Sequence, residues 1–526
     1  FTVLTLNDIS PVEASGAPVF NTSPYLKLNG RGVLVGVIDT GIDYLNKEFQ
    51  MEDDTTRIVR LWDQTIQGDT NIYGVKYGTE YTEEQINQAI SLQTSGGDPY
   101  SIVPSKDEIG HGTKVSGIIG GRGINPDLKG AAPDCKFVIV KLSRATKVEL
   151  DAALIDKTDV PSYNPWSVLL GIRYVVSVAR ELNKPLVIFI PLGSNMGSHT
   201  GNGIDENIIN NYSTEAATVF VVPVGNQGNT DTHTEGIIEK VGDIKDIEIR
   251  VGEKQKNLPI IIWINKPNRV MLSIISPTGE IIDNMEAKNN NRIKFLYEKT
   301  EMIVNFTSPE LSTGDALIFI RAYNLKAGIW KFRLTGEYIV NGNYYAWIPQ
   351  RELIDDETKF LNPVKYTTIT LPSTTNGAIS VGYYNQNNNS VVSESGNGYT
   401  RDGSIKPDIV AGGSNALVTT PGGTTSVMTG SSVAGAVVAG CCALILQWAV
   451  SDGNYPDIYA SQIKTYIISG AKTRPGDIYP NRQWGYGMFD LQRIFDWIQQ
   501  TYTPRINDDF EEYRVKNLFI RKPKDL

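Results

Sequence analysis

The amino-acid sequence predicts an α/β fold, a parallel sheet with helices on both faces, interrupted by an inserted all-β domain. Three observations carry this reading. Short, continuous apolar runs alternate with helical patterns over roughly the first 230 residues, as in strands that are covered on both faces. From about Glu235 to Thr367 the helical intervals disappear, and strand-like segments follow one another between turn signals. After Thr367 the first texture returns with Gly377 to Gly382, GAISVG.

The first buried strand is Gly32 to Asp39, GVLVGVID, which ends in an acid. Lys136 to Leu142, Leu186 to Leu192 and Val219 to Val224 are expected strands of the same kind, and Trp166 to Leu182 is an amphipathic helix between two of them. In the all-β part the expected strands are Ile247 to Val251, Pro259 to Ile264, Val270 to Ile275, Ile293 to Tyr297, Ala316 to Arg321 and Gly328 to Leu334. Pro277-Thr278-Gly279 and Asn289-Asn290-Asn291 are turns between them. The stretch from Ile409 to Ser451 has no charged residue, and Ala434 to Val450 is nearly all small or apolar. A membrane span has similar composition. This one is rich in Gly and Ala, contains Gln447 and is entered through a Gly/Thr/Ser-rich loop, so it reads as a buried core helix. The expected units are residues 1–234, the first part of the α/β domain; 235–367, the inserted β-sandwich; 368–500, the second part; and 501–526, a tail. The charged segment Arg505 to Leu526 is expected as a surface tail or packing arm.

Composition narrows the chemistry. The 526 residues are 40% hydrophobic and 20% charged, which excludes a largely disordered chain. A net charge of −9 leaves no basic excess to neutralise phosphates, so nucleic acid is not an expected partner. Three Cys (Cys135, Cys441, Cys442) and three His (His111, His199, His233) form neither a disulfide framework nor a zinc set. No cofactor and no metal are assigned. The chain begins at Phe1 without a basic and then apolar leader, and an upstream segment is expected to have been removed.

Four short motifs carry the chemistry. Val37-Ile38-Asp39-Thr40-Gly41 puts an acid at the carboxyl end of a buried strand, where open α/β sheets hold their active sites. Gly110-His111-Gly112-Thr113 puts a His at a helix start. Gly430-Ser431-Ser432-Val433-Ala434 puts Ser432 at the mouth of the apolar helix. Taken singly, the Asp39 and Ser432 motifs read better as a turn acid and a helix cap, and the His111 motif reads equally well as a capping or packing His. Together they supply a nucleophile, a base and an acid to fix the base's tautomer, in the chain order Asp, His, Ser. Gly225-Asn226-Gln227-Gly228, just past a buried strand, offers a side-chain amide for a developing oxyanion.

In these motifs the sequence resembles the subtilisin-like serine proteases: V-I-D-T-G-I-D at Val37 to Asp43, G-H-G-T at Gly110 to Thr113, P-V-G-N-Q-G at Pro223 to Gly228 and G-S-S-V-A-G-A-V-V-A-G at Gly430 to Gly440. The resemblance implies a subtilisin-like fold and a serine endopeptidase. Its implied triad is Asp39, His111 and Ser432, with Asn226 as oxyanion donor. Leu192 and Gly193, in Pro191-Leu192-Gly193-Ser194, would pair with substrate backbone beside the S1 pocket, and Gln227 would make the S1 rim polar. The family's nucleophile motif, Gly-Thr-Ser-Met-Ala-Ala-Pro-His, is altered at five places by Ser431, Val433, Gly435, Ala436 and Val437, and Lys114 stands where the family often has His. The loop Gly121 to Gly130, where many members bind calcium, lacks a convincing set of oxygen ligands.

A narrower resemblance, to the clostridial Csp germination proteases, lies in Ile9 to Gly16, Gly36 to Phe49, Asp53 to Ile58 and Leu61-Trp62-Asp63-Gln64, and in the β insertion, a jelly roll in that group. It implies an extracytoplasmic setting, spore envelope or secreted. It also implies a self-cleaved N-terminal prodomain as partner, and the zymogen of a spore cortex hydrolase as protein substrate. The alternatives are a general secreted clostridial subtilase and a catalytically silent pseudoprotease scaffold. The insertion carries no nucleophile-type motif and is expected to govern stability rather than chemistry. Its aromatics Trp263, Trp330, Tyr344, Tyr345 and Trp347 read as core, with a glycan-binding reading left open.

Overall fold

Apolar runs that cannot face water on either side pair with one another at the centre of the chain's larger sheet. The structure, a computed structural model, describes residues 8–68, 73–286, 292–297, 299–501, 510–515 and 518–523. In the larger sheet the strands lie in the order Ser390–Val391, Ala378–Asn385, Thr218–Pro223, Leu186–Phe189, Leu34–Asp39, Lys136–Lys141, Ile58–Asp63 and Thr79–Thr82, and Ile409–Gly412 also pairs with Ala378–Asn385. The central pairings are parallel, so the carboxyl ends of Leu34–Asp39, Leu186–Phe189 and Thr218–Pro223 line one edge. Alternate residues serve opposite faces. Val35, Val37, Phe137, Ile139, Val187 and Phe189 join the core around the helix Ser431–Leu446. Leu34, Ile38, Val138, Val140, Leu186 and Ile188 pack with the helix Pro165–Leu182. That helix rests directly on the sheet: a Cβ on Gly36 would lie 2.2 Å from Val175.

The helix Ser431–Leu446, continued as a π-type turn over Gln447–Ser451, is long and apolar enough to cross a membrane, and 94% of its most apolar window is buried inside the protein. Gln447 accepts the backbone N–H groups of Asn29 and Gly30 at 2.8 Å each, and so holds the entry to the first strand.

Residues between His233 and Phe360 build two further antiparallel sheets that share one apolar core. One runs Ile281–Glu286, Arg269–Ile275, Gly328–Tyr338, Ile244–Val251, Lys359–Phe360. The other runs Arg292–Tyr297, Thr300–Thr307, Ala316–Tyr323, Leu258–Ile264, Asn343–Trp347, His233–Ile237. The chain enters and leaves this sandwich side by side, with Phe360 N–H on Asp231 C=O at 3.0 Å and Val364 N–H on His233 C=O at 3.0 Å. At the seam with the larger sheet's domain, Trp347 lies between the rings of His199 and His233, at 4.0 and 4.3 Å, and Arg401 covers Trp263. Trp263, Trp330, Tyr344 and Trp347 are buried, which leaves their faces closed to a glycan.

Within the expected tail, Phe510–Val515 pairs with Leu518–Pro523 as an antiparallel hairpin. Its remaining residues, 502–509, 516–517 and 524–526, and the expected turn at 289–291, lie outside the described residues.

Candidate active site

Asp39 closes the buried strand Leu34–Asp39 and is 1% exposed. One of its carboxylate oxygens accepts the N–H of Thr40 at 2.6 Å; the other meets His111 Nδ1 at 2.7 Å. A carboxylate can only accept here, so Nδ1 carries the proton and Nε2 keeps its lone pair. Burial pushes the His111 pKa down, but the charge and hydrogen bond of Asp39 outweigh it and the net shift is upward. Asp107 adds to the rise and Lys114 opposes it.

His111 opens the helix His111–Gly120, and two neighbouring glycines place it. Gly110 has φ +81°, a left-handed turn into the helix. Gly112 lies against the Asp39 strand's exit: a Cβ there would be 2.1 Å from the carbonyl oxygen of Gly41. Asp107, buried at 4%, ties the two segments together. Its Oδ1 accepts from Thr40 Oγ1 at 2.8 Å and Gly110 N–H at 2.7 Å, and its Oδ2 accepts from Thr113 N–H at 2.9 Å and Thr113 Oγ1 at 2.7 Å. Thr40 Oγ1 in turn accepts Gly112 N–H at 2.8 Å. Sequence reasoning missed Asp107. It lies four residues before the helix start, outside the N-cap position, which Gly110 holds, so no capping pattern marks it.

Ser432 is the second residue of the helix Ser431–Leu446 and is half-buried, whereas Ser431 is buried. Gly430 before it has φ +145° and faces the Asn226 amide, which a Cβ would meet at 3.3 Å. Asn226 follows the strand Thr218–Pro223, and its Oδ1 accepts the N–H of Ser431 at 3.0 Å. With the carbonyl engaged, the Nδ2 amide is the group left to donate elsewhere. The structure therefore brings Asp39 to His111 and Asn226 to the start of the Ser432 helix, both along the sheet's carboxyl edge. Among the described residues, no hydrogen bond joins Ser432 to His111.

Leu192 and Gly193 leave the same edge after Leu186–Phe189. Leu192 packs partly against the core and Gly193 is exposed. Thr370 sits between Gly193 and Gly225: a Cβ on either would lie 2.3 or 2.6 Å from its Oγ1. The expectation that Gln227 forms a polar S1 rim is corrected. Gln227 is 5% exposed and its amide is turned to the β-sandwich, where it meets Arg351 and Glu352. In the loop Gly121 to Gly130 the amides of Gly123, Ile124 and Asn125 donate to the buried Glu48 carboxylate. Among the described residues, no group of three or more His, Cys, Asp or Glu side chains gathers as metal ligands do.

The sequence profile of the subtilase family matches residues 30–244 and 342–487. The CspB protease of Clostridium perfringens has a similar structure, with a TM-score of 0.83 and 30% identity over 94% of this chain and 98% of that one. The PII-type proteinase of Lacticaseibacillus paracasei is 27% identical over 229 residues, 42% of this chain but only 11% of that protein's length. The PI-type proteinase of Lactococcus lactis subsp. cremoris is 27% identical over 237 residues, again 42% of this chain and 11% of the relative.

Proposed function

This chain belongs to the subtilase family and is a subtilisin-like serine endopeptidase, and from that premise we propose that Asp39, His111 and Ser432 are its catalytic triad. The observation that carries the reading is the 2.7 Å bond between Asp39 and His111 Nδ1, which leaves Nε2 basic and facing away from the carboxylate. His111 takes the proton of Ser432 Oγ as that oxygen attacks the scissile carbonyl, and returns it to the leaving amine. Asp39 holds the tautomer and stabilises the imidazolium without itself being protonated. Asn226 Nδ2 and the Ser432 N–H bind the tetrahedral oxyanion, aided by the positive end of a 16-residue helix. Substrate lies extended along Leu192 and Gly193, as an added strand.

The substrate we assign is a protein zymogen, that of a spore cortex hydrolase, cleaved outside the cytoplasm by an enzyme whose own prodomain has been removed. Support comes from the likeness to the CspB protease along nearly the whole chain and from the Csp-like segments of the sequence, and we read the β insertion as that group's jelly roll. The test incubates the protein with a peptide library and with a purified cortex-hydrolase precursor, beside Ser432→Ala. Discrete cleavage of the precursor, lost in Ser432→Ala, is expected. Normal cleavage by Ser432→Ala would overturn the triad. Cleavage of peptides without cleavage of the precursor would overturn the zymogen assignment alone.

A further inference from the structure

Where the chain leaves the sandwich strand Asn343–Trp347 it turns through Gln350, Arg351 and Glu352 before returning to the larger sheet. These three residues touch both loops that flank the proposed cleft. Gln350 Nε2 donates to the carbonyl of Gly193 at 2.5 Å. Arg351 N–H donates to Gln227 Oε1 at 3.1 Å, and Gln227 Nε2 donates to the Glu352 carboxylate at 3.0 and 3.2 Å. The turn is stiff in its own right. The Arg351 guanidinium donates to the carbonyls of Thr358 and Asp356. Ile348, just upstream, is held through N–H on Thr232 C=O at 3.1 Å and through its carbonyl by Asn195 Nδ2 at 3.2 Å.

The buried amide of Gln227 is thus fully used, both ends of it on the insertion, one residue after Asn226. On its other side Asn226 is fixed through its own Oδ1 by Ser431. The loop that carries the oxyanion donor is spanned between the nucleophile's helix and the inserted domain. A donor aimed at an oxyanion must be held within a few tenths of an ångström to be worth its full effect. We propose that Gln227, clasped by the turn Gln350–Glu352, is a positioning residue for the oxyanion loop, so that the inserted domain helps to set the rate of acyl transfer. This rests on the reading of Asn226 as the oxyanion donor.

The polarity of the clasp supplies its test. In Gln227→Glu a carboxylate replaces the amide that faces Glu352, while Arg351 N–H keeps an acceptor. In the double variant Gln227→Glu with Glu352→Gln the donor and acceptor are exchanged and the clasp re-forms. Full removal of an oxyanion donor costs about 10²–10³ in kcat, so its displacement is expected to cost roughly tenfold, with KM little changed. The double variant is expected to recover to within about threefold of the wild type. Rates are taken per active site, by titration with a serine-reactive fluorophosphonate, so that loss of folded protein does not count as loss of rate. Glu352 is exposed, so Glu352→Lys offers a disruption that folds; it should lower kcat in the same direction at an unchanged melting temperature. An unchanged kcat in Gln227→Glu and Glu352→Lys would overturn the proposal, as would a rise in KM alone or a double variant no better than Gln227→Glu. A wild type in which Ser432 takes no label would overturn the proposed triad first, and the positioning role with it.

Discussion

Replacing Gly112 by Ala tests the placement of His111 with a single methyl group. The new Cβ would lie 2.1 Å from the carbonyl oxygen of Gly41 and 3.1 Å from that residue's nitrogen and carbonyl carbon. All three atoms are backbone of Gly41, at the exit of the strand that ends in Asp39, so no side chain can swing aside. An ordinary contact begins near 3.4 Å, and the helix start must therefore retreat by about 1.3 Å. The retreat acts directly on the 2.7 Å bond between His111 and Asp39 and on the Thr40–Gly112 hydrogen bond. A misplacement of about 1 Å in a catalytic group costs up to about 10²-fold, and overpacking costs about 1–3 kcal/mol of stability. Helix propensity alone argues the other way, since Ala exceeds Gly by about 1 kcal/mol inside a helix. Hydrolysis of a small peptide, with rates per fluorophosphonate-titrated site, and thermal unfolding read the two effects separately. A loss of about 10²-fold in kcat/KM with a lowered melting temperature is expected. Wild-type turnover, or a more stable protein, would show that the close approach does not position the histidine.

Activity should fall on the acid side as His111 gains its proton, with a midpoint above the ordinary imidazole value of about 6.5, because the Asp39 carboxylate outweighs burial. A midpoint below that value would refute it, and Lys114→Ala, which removes an opposing charge, should move the limb further up. Stability has the opposite sign. A folded-state pKa raised above the unfolded value stabilises the fold below the unfolded value, and this share is lost as pH rises through the folded one. Urea unfolding of wild type and His111→Ala across that window checks the sign. Asn226→Ala is expected to lower kcat by about 10²–10³ with little change in KM, and a rise in KM alone would make it a substrate-binding residue. Replacing Ile237 to Lys365 by a short Gly/Ser linker should leave peptide hydrolysis measurable but about tenfold slower, since Gln350 and Glu352 leave with the insertion. The product should also unfold and be proteolysed more readily, because the buried seam at Trp347 is lost. A folded deletion protein with wild-type turnover and resistance would refute both roles.

The sheet's central strands were legible because both of their faces are covered, which turns Leu34–Asp39, Lys136–Lys141, Leu186–Phe189 and Thr218–Pro223 into unbroken apolar runs. Ile58–Asp63 was not found: Arg60 interrupts it, and it lies next to the antiparallel edge strand Thr79–Thr82. Thr300–Thr307 and Asn343–Trp347 were missed for a related reason. Their residues alternate between two faces, and Ile303 and Trp347 are buried on the face turned away from the sandwich core, so the period of two is blurred. The residues of the proposed triad were legible as candidates because chemistry restricts such roles to a few residue types in short motifs. Asp107 was not, because its role depends on reaching Thr40, 67 residues away in sequence.

Gln227 shows where motif reading stops. As a neighbour of Asn226 it was assigned to the S1 rim, yet a motif fixes the order of side chains and not the direction in which each one points. The strand Thr218–Pro223 delivers Asn226 to the sheet's carboxyl edge, and Gly225, at φ +82°, turns the loop there. Asn226 then meets the helix at Ser431, and Gln227 is turned to the partner that lies on the other side, which is the inserted domain. That partner is 124 residues away in sequence, beyond the reach of any local pattern. An insertion whose two ends leave and re-enter the same domain must run past the loops at its base, and here one of those loops holds Asn226, the proposed oxyanion donor. The proposed effect on rate then follows from where it is inserted, without a chemical group of its own.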